Sequence, residues 1–181
     1  MILPTLRASF GRDEALHLVD LLGRDDPESR ERARARLERD GIDALLDDPR
    51  ILNALLTDPD VGAPPRVVFY VLVRHALLEG GIPDPLTADY IASLMLRFGH
   101  GNRAYRVSDS REEEYRYVVD LVAEMREADS QKAFPFWCHL GNYSLWLSGL
   151  FPDHLEWRVN RKGAPPIDYY EKMGSTGFRL A

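Results

Sequence analysis

Along most of the chain the apolar positions recur three and four residues apart, the spacing that gathers them on one side of a helix. Leu16, Val19 and Leu22 form the first such stripe, over 13–22, and Gly23 stops it. A charged segment from Pro27 to Arg39, closed by Gly41, predicts a second helix. Two related stretches follow, Asp43 to Pro49 (DALLDDP) and Asn53 to Pro59 (NALLTDP). Their ten-residue offset is too short for a solenoid repeat and predicts two brief helices. Residues 65–79 are apolar on most sides, which marks a central, buried helix.

Helices are also predicted over 85–98, from a capping box at Ser110 and Glu113 to Glu127, and from Asp129 or Ser130 to Leu147, with Pro135 confined to the first turns. Short helices over 152–160 and 167–173 complete the pattern, separated by the break at Gly163 to Pro166.

The punctuation is helical too. Asp-Pro occurs at 26–27, 48–49, 58–59 and 84–85. Asp accepts hydrogen bonds from the open N–H groups of a first turn, and Pro at the next position forfeits no donor, so each pair predicts a helix start. Alternating strand patterns joined by Asn-Gly hairpins are missing. The expected fold is all-α: a compact, orthogonal or bundle-like domain over 1–181 with seven to nine helices, several of them short. Its polar first 60 residues are set apart as a semi-independent subdomain or arm.

Composition narrows the function classes. With 23 basic and 29 acidic side chains the net charge is −6, so no general positive field exists to hold a nucleic acid. Twenty of the basic residues are arginines, a side chain suited to bidentate pairing with carboxylates. Even the arginine-rich helix, with Arg30, Arg32, Arg34, Arg36 and Arg39 against Glu28, Glu31, Glu38 and Asp40, sums only to +1. It suits intrahelical ion pairs or contact with another protein. Cys138 is the single cysteine, so neither an internal disulfide nor a thiolate zinc cage is expected. Residues 1–10 lack a secretory pattern, and the longest apolar run, Val67 to Val73, is far short of a membrane span. A cytoplasmic protein without membrane attachment is expected.

Candidate chemistry concentrates between Phe134 and Trp146. On a helix, His139, Asn142, Tyr143 and Trp146 share one face, which offers both hydrogen bonds and aromatic surface. Together with Arg74 and His75 from the apolar helix they make the candidate ligand site. The competing expectation is a core face whose polar atoms are satisfied by neighbouring helices. Cys138 and His139 point about 100° apart on a helix and form no dyad, so Cys138 reads as an inert thiol. His75 and Glu79 stand one turn apart, but the several carboxylates that a helical metal site draws from apolar faces are missing; no metal and no cofactor are expected. The loop from Gly99 to Arg103 carries His and Arg and is suited to cradling an anion.

No P-loop, dinucleotide fingerprint, zinc-protease, nucleophile-elbow or EF-hand pattern occurs. The expectation is a non-catalytic helical domain that binds a second copy of itself or another protein, with a small-molecule pocket around the six candidate residues as the alternative. The two differ in geometry: a pocket needs those residues around a cavity, whereas an interaction domain needs a filled core and exposed apolar surface.

Overall fold

The computed structural model describes residues 5–24, 26–108, 110–127 and 133–181. Among these residues the chain is all-α, with ten α-helices, two short 3-10 turns and no strand. The helices are α1 (Arg12–Leu22), α2 (Pro27–Asp40), α3 (Ile42–Leu46), α4 (Pro49–Thr57), α5 (Pro65–Glu79), α6 (Pro85–Phe98), α7 (Val118–Glu127), α8 (Phe134–Leu150), α9 (Pro152–Lys162) and α10 (Ile167–Leu180). None of the described helices is long and apolar enough to cross a membrane.

Three of the four Asp-Pro pairs start helices. Asp26 accepts from the N–H groups of Glu28 and Ser29, Asp48 from that of Arg50, and Asp84 from those of Leu86 and Thr87. The exception is Asp58, whose carboxylate folds a turn by accepting from the Asp60 N–H and pairs with Arg24 instead.

Contacts divide the chain into two units, one ending at Leu96 and the other spanning Arg97 to Ala181. The core of the first contains Leu18 and Val19 of α1, Leu45 and Leu46 of α3, Ile51 of α4, Val67, Tyr70 and Val71 of α5, and Ala88 and Ala92 of α6. Arg74 is buried in this unit beside the end of α3. Its guanidinium grips the Asp47 carboxylate with two bonds of 2.8 Å and also donates to the Pro83 carbonyl at 2.6 Å. A cation in an apolar helix is thereby neutralised and its donors are used. His75 turns its Nε2 to the Leu46 carbonyl at 3.1 Å.

The second unit is built on α8. At 100° per residue, His139, Asn142, Tyr143 and Trp146 lie on one side of this helix and Trp137, Gly141, Ser144 and Ser148 on the other. Both sides pack, the second against α10. The approach there is set by missing side chains. A Cβ on Gly177 would lie 2.5 Å from the Gly141 nitrogen and 2.8 Å from the Trp137 carbonyl oxygen, and one on Gly174 would lie 3.1 Å from the Ser144 Cβ. Glycine holds the two backbones nearly in contact, and α10 continues to Leu180, well past the expected end at Met173.

Two other expectations change. The capping box at Ser110 starts no helix: residues 111–117 are irregular and α7 begins at Val118. That segment is tied elsewhere, with the Tyr115 N–H donating to the Tyr105 carbonyl at 2.7 Å and Glu114 accepting from the Asn102 amide at 2.7 Å. The proposed caps Asp129 and Ser130 lie outside the described residues; α8 starts at Phe134 with Pro135 in its first turn.

Candidate functional site

Both sides of α8 carry candidate chemistry, and they differ. On the first side His139 is 4% exposed, and its ring stacks on Tyr143 with centroids 5.8 Å apart and planes 5° from parallel. Phe98 covers it at 5.8 Å and also meets Trp146 edge-on at 5.8 Å. Trp146 in turn packs on Phe151, and Tyr143 on Tyr105. The Tyr143 hydroxyl donates to the Arg116 carbonyl at 2.8 Å, and Asn142 is buried beside it. These rings pack against one another, several of them edge to face.

Burial, with a contribution from the nearby Arg97 charge, pulls the His139 pKa down to about 4, so the imidazole is neutral at pH 7. Its Nε2 has no hydrogen-bond partner among the described residues. Burial also raises the Tyr143 and Cys138 pKa values, keeping phenol and thiol protonated. At neutral pH this side of α8 therefore carries a neutral imidazole and a protonated phenol, with a protonated thiol next to the histidine in sequence. Of the six residues expected to form a site, His139, Asn142, Tyr143 and Trp146 thus sit on one side of α8 in the second unit. Arg74 and His75 belong to the first unit and hold the partners given above.

On the other side, α8 and α10 diverge beyond their glycine contact and leave a groove of about 360 Å³. It is lined by Leu145, Ser148 and Gly149 of α8 and by Tyr170, Glu171, Gly174 and Phe178 of α10. Phe178 lays its ring over Gly141, where a Cβ would come within 2.9 Å, yet remains 42% exposed. Ser148 turns its hydroxyl back to the Ser144 carbonyl at 2.9 Å, which leaves the groove wall largely apolar. Gly149 is unlike the other glycines of this helix pair: a Cβ built there meets nothing within 4 Å among the described residues. Gly174 and Phe178 lie beyond the Met173 end expected for the last helix, which hides their place in the groove from the sequence. The usable signal was Gly141 and Ser144 facing Gly174 and Gly177, small residues three apart on both helices.

A polar cleft of about 400 Å³ in the first unit, lined by Arg24, Asp26, Ser29, Arg50, Asn53 and Asp58 among others, has its charges engaged already. Arg24 pairs with Asp58, Arg50 with Asp48, and Asp26 caps α2. The chain matches no protein-family model, no curated protein and no solved structure.

Proposed function

We propose that this protein is a non-catalytic helical interaction domain whose partner is a second copy of itself, joined through the α8–α10 groove. The observation that carries the reading is Gly149. Glycine inside a helix costs up to about 1 kcal/mol relative to alanine. Gly141, Gly174 and Gly177 are explained by close packing within the chain, whereas the space beside Gly149 is open. That space belongs to an apolar groove, so the bare backbone favours close approach by another chain.

The same two helices carry exposed apolar side chains, Leu150 at 39%, Phe178 at 42% and Leu180 at 50%. Of these, Phe178 lines the groove, so that face holds both a hollow and a projection, as an isologous two-fold interface requires. Two neighbouring helices, the longer about 25 Å in length, offer a face of the same order as the roughly 800 Å² per partner of a standard interface. The packed rings around His139 favour a structural role for that side of α8 over a small-molecule pocket.

Hydrogen exchange tests the placement. Between low and high micromolar protein, amides in 145–150 and 170–178 should gain protection while those of α7 remain unchanged. Protection that is independent of concentration in both regions would exclude this face as the interface.

A further inference from the structure

We infer that the loop after α6 is an oxyanion site that accepts a phosphate group, independent of the α8–α10 groove. His100, Gly101, Asn102, Arg103 and Arg106 line a hollow of about 540 Å³. Gly101, at φ +57°, makes the turn that brings the two arginines to one hollow. Both line the hollow and, unlike the arginines that hold carboxylates, both are little used by the protein. Arg74, Arg50 and Arg36 bond carboxylates at 2.7–2.9 Å. Arg103 has no side-chain partner among the described residues. Arg106 reaches Glu114 through one long contact of 3.4 Å, and its Nε has no hydrogen-bond partner.

Glu114 is better held by others, the Asn102 amide at 2.7 Å and Arg116 at 3.2 Å. It would therefore stay in place if Arg106 turned away. Swinging the Arg106 guanidinium towards the hollow would exchange one poor bond for a two-pronged grip and give Nε an acceptor. With Arg103 lining the same hollow, two guanidinium groups would share a tetrahedral dianion, the chemistry for which arginine is suited. The source of the phosphate group, free or carried on a small molecule, makes no difference to this recognition.

The test is a titration of the full chain with inorganic phosphate at constant ionic strength, followed by NMR on the amides of Gly101, Asn102, Arg103 and Arg106. The expected result is saturable shifts at these amides, with at least a tenfold loss of affinity in the Arg103→Gln, Arg106→Gln double variant. Exposed Arg12→Gln serves as the control and should bind as the unaltered protein does. Shifts that fail to saturate, that persist in the double variant, or that appear equally with chloride would overturn the proposal. Neither substituted side chain supports the core, and an unchanged amide spectrum elsewhere verifies folding of the variants.

Discussion

A buried neutral histidine makes the protein acid-sensitive. The His139 pKa is about 4 in the fold, against about 6.5 when the chain is unfolded and the ring is hydrated. Between those values the unfolded chain binds the extra proton, so the His139 contribution to stability is intact above pH 6.5 and declines as pH falls towards 4. At pH 5 the loss is about 2 kcal/mol. Urea denaturation at pH 7 and pH 5 should show it, and His139→Phe, which keeps an aromatic ring on Tyr143, should remove that part of the pH dependence. An identical pH dependence in the variant would mean that His139 is solvated. Arg74 gives a second residue-level test. Its carboxylate partner is only partly buried while the guanidinium is 9% exposed, so Asp47→Ala strands a cation. The expected cost is about 3 kcal/mol, with part recovered when Arg74→Met is added; additive losses in a double-mutant cycle would show the pair to be uncoupled.

Individual helices were legible where capping and periodicity agreed. The 65–79 segment coincides with α5 because proline opens it and its apolar residues pack into a core. The expectations failed where a local signal meets a tertiary demand. Ser110 and Glu113 have capping spacing, but the chain around them is held by Tyr115 and Glu114 to the preceding loop. Asp58 precedes proline yet is engaged by Arg24. Glycines in α10 resemble stops in the sequence because their use, contact with Gly141 and Ser144, lies 30 to 36 residues away. Element-level predictions follow from this contrast among glycines. Gly177→Ala forces a Cβ onto the α8 backbone and should lower stability by more than about 2 kcal/mol. Gly149→Ala meets only open space within its own chain and, in the monomer at low protein concentration, should be neutral or stabilising by up to about 1 kcal/mol. Thermal melts of the two variants should move in opposite directions, or at least differ in this order; equal losses would contradict the open space at Gly149.

For the whole molecule, the all-α class followed from proline-marked helix starts and the scarcity of strand patterns, and the structure bears it out. The aromatic side of α8 was also legible, since His139, Asn142, Tyr143 and Trp146 needed only helical spacing to be placed together. The rings that cover it were not, because Phe98 and Tyr105 come from earlier segments and nothing in their local sequence assigns them to this helix. The groove was least visible, being made by α8 and α10 together.

Sedimentation equilibrium on the wild-type chain and on Gly149→Arg tests self-association most directly. The arginine would project into the groove from a position with room for it, so the fold and its helical circular dichroism should be preserved. The account predicts a monomer–dimer equilibrium for the wild type and a monomer for the variant over the same concentrations. A wild-type protein that stays monomeric, or a variant that dimerises as strongly as the wild type, would contradict it.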